Sequence, residues 1–339
     1  MKNIFKVFIF TIVLSPFLNS QGTVILLNGT SSAGKSSIMK ELPEILDGFW
    51  QPVEADAFAV IARKNFIDYL KEKFGVETTL EELNDTYIAL NKEGRITERE
   101  VDAFFDKQDV LGQMFEKIRT DIQEEKNVII DTVIGEGIDD EDPDNADYAF
   151  KTYFDALHTF NVAFILVYCP FAALIERVEM RNQAGVYEER REFGVPLWMF
   201  GKTYKKARPG DTPILETLTK TEVTNLFERY AKEDFKTERE YNKYLSILLK
   251  DLSLDRNESI QVTPRLKYDF VVNTGVYSTQ EVAVQIKQFM ETNPVLTAFR
   301  ENYERIGWRD KLKYRFKKFF GHNSAKLDWK KKNAFLLRA

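Results

Sequence analysis

The segment that most constrains this chain is Gly29-Thr30-Ser31-Ser32-Ala33-Gly34-Lys35-Ser36, which fits the spacing G-x-x-x-x-G-K-[ST] in full. It follows Thr23 to Asn28 (TVILLN), a short apolar run β-branched at its first three positions. Such a run reads as a strand buried on both faces. After the loop, Ser36 to Leu42 reads as a helix with Ile38, Met39 and Leu42 on one face, and Pro43 is expected to stop or kink it. A strand, a glycine-containing turn and a helix in that order bring backbone N–H groups around an anion. The helix N-terminus adds the positive end of its dipole. Lys35 is placed to reach the β and γ phosphates of a nucleotide, and the Ser36 hydroxyl to ligate Mg²⁺. The expected ATP cradle is Gly29, Thr30, Ser31, Ser32, Ala33, Gly34, Lys35, Ser36 and Ser37.

Downstream, apolar runs alternate with helical periodicities. A short strand leads into Val53-Glu54-Ala55-Asp56, and Phe58, Ile61, Phe66, Ile67, Leu70 and Phe74 then carry helical spacing. Thr97-Glu98-Arg99-Glu100 reads as a capping box, and Val110, Met114, Phe115, Ile118 and Ile122 form an apolar stripe. Further strands are expected at 127–131 (NVIID), 162–168 (VAFILVY) and 268–273 (YDFVVN), with helices at 172–182 and from a Ser278 cap to about Glu291. Strands alternating with helices imply parallel crossovers. The fold class is therefore α/β, a P-loop NTPase or kinase fold with a parallel sheet flanked by helices. Helical insertions are expected at about 57–125 and 183–264, the second containing a Thr219 to Glu222 capping box. The kinase-like domain is expected to span 21–292.

Composition narrows the chemistry. One cysteine, Cys169, excludes a disulfide framework, and two histidines exclude a His-rich metal site. Cys169 before Pro170 reads as a small buried filler, and no histidine stands in a triad-like context. Phosphoryl transfer needs positioning, charge neutralisation and a group for the nucleophile. Asp56, at a strand end, is the candidate base, with a helix N-cap as the plainer alternative. Glu54 would share its face on a strand and could hold a metal-bound water. Asp131 ends an apolar strand, a place suited to a second Mg²⁺-associated carboxylate. Arg177 and Arg181 lie four apart on one helix face, as phosphate-closing groups or as a surface salt-bridge pair. Arg190-Arg191, flanked by Glu188, Glu189 and Glu192, reads as a solvated charged face.

The run Val24 to Ser37 resembles the opening of the chloramphenicol phosphotransferase-like kinases, whose loop reads LNG-x-SSAGKS. Three further segments agree in order. Asp56 stands where that family carries its catalytic aspartate. Val167-Tyr168-Cys169-Pro170 with Leu174, Glu176, Arg177 and Arg181 is similar to its fourth strand and arginine-bearing lid helix. Tyr268 to Thr274 with Ser278 to Glu281 resembles its last strand and final helix. The resemblance spans residues 23 to 291 in segments. It implies transfer of the γ-phosphoryl of ATP, with Mg²⁺, to a hydroxyl of a small molecule, and arginines 177 and 181 closing over that phosphate. The stretch after Asp56, the insertion after Arg181 and the tail after Pro294 depart from the family pattern, the first two where members hold their acceptor. The other readings are a P-loop NTPase or nucleotide-binding module without kinase activity, and a toxin-like kinase acting on a nucleotide sugar.

The two ends carry a different signal. Met1 to Lys6 is a short basic start, and Val7 to Leu18 is apolar, shorter than the ~20 residues of a membrane-spanning helix. Residues 1–20 read as a signal peptide or N-terminal anchor, giving an exported or membrane-tethered protein. The alternative is a cytoplasmic chain with a buried first helix. Residues 300–339 hold thirteen Lys and Arg against four Asp and Glu, while the whole chain carries −5. The body is therefore strongly acidic. Trp308, Leu312, Phe316, Phe319 and Phe320 fall near one helical face, with basic residues over much of the rest. The 293–339 extension thus reads as a basic amphipathic helix that packs on the acidic body or lies on an anionic membrane surface, with nucleic acid the weakest reading. Co-sedimentation with anionic vesicles tests this: binding is expected to be lost on deleting 300–339, and equal binding with and without them removes the lipid partner.

Overall fold

The computed structural model describes residues 22–80, 82–134, 148–183, 194–211, 214–232, 235 and 237–306. The N-terminal segment 1–20, the pair Arg190-Arg191 and the basic helix beyond 306 lie outside the described residues. Among those described, no helix is long and apolar enough to cross a membrane.

The chain begins with β1 (Thr23–Asn28), crosses through α1 (Lys35–Ile45) to β2 (Trp50–Glu54), and enters four helices. These are α2 (Ala55–Phe74), α3 (Leu83–Lys92), α4 (Glu98–Gln108) and α5 (Val110–Gln123). Then follow β3 (Asn127–Thr132), α6 (Tyr148–Leu157), β4 (Asn161–Tyr168) and α7 (Phe171–Gln183). The second insertion holds α8 (Gly194–Thr203), β5 (Tyr204–Lys206), β6 (Glu216–Thr219), α9 (Lys220–Ala231), α10 (Glu238–Asp251) and β7 (Ser259–Pro264). The chain returns through β8 (Phe270–Asn273) to α11 (Thr279–Glu291).

The main sheet has the order β2-β3-β1-β4-β8, and every pairing is parallel. With β1 central, Val24, Ile25, Leu26 and Leu27 are all fully buried. Successive side chains point to opposite faces of a strand. Ile25 and Leu27 therefore pack with Ile38, Met39 and Leu42 of α1 and with Val282 and Ile286 of α11. Val24 and Leu26 pack with Met114 and Ile118 of α5 and with Phe150 and Leu157 of α6. This parallel sheet flanked by helices is the P-loop kinase-like fold.

The insertions differ in how they attach. Residues of α2 to α4 have their own core, where Phe66 meets Phe104 and Phe105 with ring centroids 5.1 Å apart. The second insertion shares the main core, through Phe200, Tyr204, Phe227 and Val262.

Several expectations are corrected. The 183–264 insertion is not all helical: β5, β7 and β6 form a three-stranded antiparallel sheet. Its strands are three to six residues long, and β7 alternates exposed and buried positions before ending on a proline, so no continuous apolar run marks them. Pro43 does not end α1, which continues to Ile45; this close to the end, a proline removes one hydrogen bond without breaking the turn. Of the Thr219 box only the Thr219 half forms, its side chain accepting from the Glu222 N–H. The Thr97 and Ser278 boxes are complete. The last strand starts at Phe270, and the Asp269 side chain before it accepts the N–H groups of Phe164, Thr297 and Ala298. The first part of the 293–339 extension belongs to the body: Phe299 and Ile306 are buried, and Tyr303 stacks on Phe154 with centroids 3.8 Å apart.

Because the α2–α4 core is separate, Phe66→Ala is expected to cost about 3–5 kcal/mol locally. Limited proteolysis should show new cleavage confined to residues 55–108 with β1 and β4 still protected.

Candidate active site

Two residues with left-handed backbone shape the loop after β1: Ser32 has φ 65° and Gly34 φ 94°. Alternating such residues with right-handed ones points successive N–H groups into one concavity. Gly34 is the N-cap of α1 and offers no side-chain cap, so the first amides of the helix face the concavity. Gly29 is required for a different reason. A Cβ there would lie 2.4 Å from the Val167 carbonyl oxygen, so the loop's first peptide is pressed onto β4.

Lys35 is buried and curls back into the loop. Its Nζ donates to the carbonyls of Thr30 at 2.9 Å and Gly29 at 3.2 Å, and lies 3.6 Å from Asp131 Oδ1. The Ser36 hydroxyl donates to the other Asp131 oxygen. Asp131 stands on β3 between Leu27 of β1 and Glu54 of β2 in the strand register. Register partners point to one face of a sheet, so Glu54 and Asp131 are neighbours. Glu54 is exposed and is the N-cap of α2.

Asp56 is not on the strand. The strand ends at Glu54, and Asp56 lies in the first turn of α2, so the shared strand face expected for the two carboxylates does not exist. It still faces the loop. Its carboxyl is pushed above the usual carboxylate range, first by desolvation and then by the charge of Asp131; Lys35, Arg63 and Arg181 act in the opposite direction. Those five groups therefore share one cleft, with Asp56 open to solvent on one side.

The two arginines of α7 reach the loop from the opposite flank. Arg177 donates to the Ala33 carbonyl at 3.2 Å, to Thr274 Oγ1 at 2.9 Å and to the Thr274 carbonyl. The Thr274 hydroxyl in turn lies 2.8 Å from the Ala33 oxygen. Arg181 donates to Ser32 Oγ at 2.9 Å. Arg177 is thus a strut behind the loop, and Arg181 stands at its lip. Glu176 and Glu179 take no part in these bonds.

Three contributors escaped sequence reasoning. Asn28 is fully buried; its side chain accepts from the Ile134 N–H at 2.6 Å and donates to the Ile134 carbonyl at 2.8 Å and to Tyr268 Oη at 2.7 Å. It ties the end of β1 to the segment after β3. A polar residue closing an apolar strand was its only signal. Arg63 lies seven residues after Asp56, on the same side of α2, and Thr274 follows the last strand. Cys169 is buried, and burial pushes its thiol up, away from nucleophile chemistry. A cavity of about 360 Å³ lined by Leu46, Trp50, Lys287, Met290 and Leu296 lies at the amino ends of the strands, remote from this cleft.

Comparison with known proteins agrees with the loop's position. Residues 25–192 match the family described as the AAA domain. Three solved kinases are similar in outline. Shikimate kinase from Aquifex aeolicus vf5 shares 17% identity, with 80% of this chain and 97% of that one covered and a TM-score of 0.27. A gluconokinase from Sinorhizobium meliloti 1021 shares 11%, with 85% and 97% covered and a TM-score of 0.27. A sugar kinase from Janibacter sp. HTCC2649 shares 12%, with 80% and 95% covered and a TM-score of 0.32. No curated protein matches the chain. Strand order, loop and cleft define a P-loop domain of the kinase-like kind.

The raised pKa of Asp56 has a consequence for stability. Ionisation of a carboxyl raised in the fold favours the unfolded chain. Its contribution is favourable below the unfolded-state pKa and is lost as pH rises through the folded one. Asp56→Asn is therefore expected to raise Tm at about pH 7 and to leave it unchanged at about pH 3. Thermal melts at the two pH values check this.

Proposed function

We propose that the protein is an ATP- and Mg²⁺-dependent phosphotransferase that moves the γ-phosphoryl group to a hydroxyl of a small molecule, in the manner of the chloramphenicol phosphotransferase-like kinases. The observation that carries this reading is the convergence of Lys35, Ser36 and Asp131 on the loop, with Asp56 facing them from α2.

The donor set fits a Mg²⁺ ion. Magnesium takes hard oxygen ligands, often one carboxylate plus phosphates and waters. The Ser36 hydroxyl and the Asp131 carboxylate already meet each other, and Glu54 stands beside Asp131 to hold a coordinated water. When bound, the ion neutralises charge on the β and γ phosphate oxygens.

The chain's own residues do the rest. The loop amides and the N-terminus of α1 bind the polyphosphate. Lys35 exchanges the carbonyls of Gly29 and Thr30 for phosphate oxygens. Arg181, at the lip, meets the transferring group, while Arg177 holds the loop in shape. Asp56 accepts the proton of the attacking hydroxyl, and its raised pKa makes it a better base than a free carboxylate.

Transfer of label from γ-radiolabelled ATP to a library of hydroxylated small molecules tests the reading. Lys35→Ala is expected to fold and to lose nucleotide turnover. Asp56→Asn is expected to fold and bind nucleotide while transfer falls by about 10²–10⁴-fold. In the wild type, kcat/KM should fall as pH drops through the raised Asp56 pKa. Unchanged turnover in Lys35→Ala overturns the nucleotide assignment. Retained transfer in Asp56→Asn moves the base role to Asp131 or Glu54.

A further inference from the structure

We infer that Glu216, in the inserted antiparallel sheet, is a positioning residue for the phosphate loop and acts through the arginine-bearing helix α7. The inference deepens the proposed function, because it takes Gly29–Ser37 as the nucleotide cradle.

Helix α7 begins in an unusual way. The Leu174 N–H bonds to the Pro170 carbonyl at 2.9 Å, which makes Pro170 the residue that opens the helix. Proline has no side-chain oxygen with which to cap the first amides. The cap comes from elsewhere: Glu216, at the start of β6 and 45 residues away, accepts the Phe171 N–H at 3.2 Å. An acidic group at that end of a helix also opposes the positive end of the helix dipole.

The cap is locked by packing. Tyr168 and Tyr204 cross edge to face with centroids 5.5 Å apart, and Phe171 meets Phe200 in the same manner at 5.1 Å. The titratable groups facing the carboxyl are Tyr168 of β4, Tyr204 of β5, Cys169 and Glu222 of α9. Burial raises the Glu216 pKa in spite of the bonds to it. The carboxyl thus offers α7 an acceptor oxygen at a fixed place.

From that anchor the coupling runs along one rigid element. Arg177 lies about 9 Å further along the helix. It grips the Ala33 carbonyl and Thr274, and Arg181 reaches Ser32. The helix is therefore pinned at its first amide by the insertion and at its middle by the loop. The inserted sheet sets where both arginines stand.

Amide hydrogen exchange and binding of a fluorescent ATP analogue with Mg²⁺ test this on the full chain. In Glu216→Ala, exchange is expected to rise about tenfold in residues 171–177 and in 29–36, as for loss of one hydrogen bond, with β1 and β4 unchanged. Affinity for the analogue should fall severalfold. Glu216→Gln, whose amide oxygen accepts the same N–H, should stay close to wild type in both measurements. If Glu216→Ala does not fold, Glu216→Asp keeps the charge and withdraws the oxygen, and should loosen the same two segments. Wild-type exchange at 29–36 in Ala or Asp, a Gln variant as loose as Ala, or a uniform rise across the sheet overturns the inference. Failure of the wild type to bind the analogue instead overturns the kinase reading, and the exchange pattern still decides the role of Glu216.

Discussion

A cradle for phosphate must keep its shape before any phosphate arrives, and here the Ala33 carbonyl carries most of that demand. It receives the Thr274 hydroxyl from behind β8 and the Arg177 guanidinium from α7. On the other side of the loop, Gly29 sits against the Val167 carbonyl with no room for a side chain. The loop is therefore clamped between β1, β4, α7 and the turn after β8. The carbonyls of Gly29, Thr30 and Ala33 are all taken, which fixes the course of the loop. Buried polar groups that are fully partnered rigidify a site, since each unmade bond would cost about 1–3 kcal/mol.

The same clamp explains the charges. Lys35 is buried, and two loop carbonyls and Asp131 hold its ammonium group. Asp131 is shared between Lys35 and Ser36, while Asp56 across the cleft is harder to ionise, first through desolvation and then through the charge of Asp131. Asp131 stays with the lysine and hydroxyl.

The two insertions serve this centre differently. The α2–α4 core is a body of its own, attached to the sheet where Glu54 passes into Asp56, so that Asp56 sits at the junction. The second insertion is fused into the main core and touches the first turn of α7 through Glu216. One insertion thus borders the cleft at Asp56, and the other supports the loop through α7.

Much of this was legible in the residues. The loop's spacing, the buried runs at 23–28, 127–131 and 162–168, and the caps at Thr97 and Ser278 depend on local rules: period, turn chemistry and capping. These hold whatever the rest of the chain does. The small antiparallel sheet was not legible, because three- to six-residue strands carry too little periodicity to stand out from helical neighbours. Nor was the placement of Asp56. Whether a strand yields to a helix at Glu54 or two residues later depends on Phe58 and Ala62 finding cores to pack into. The chain alone determined that a phosphate-binding turn stands between a buried strand and a helix, since glycine and lysine at that spacing act within one segment. Tertiary structure alone decided which distant groups complete it. Thr274, Arg177, Glu216 and Asn28 act across 45 to 240 residues, and such contacts follow from packing rather than from sequence distance.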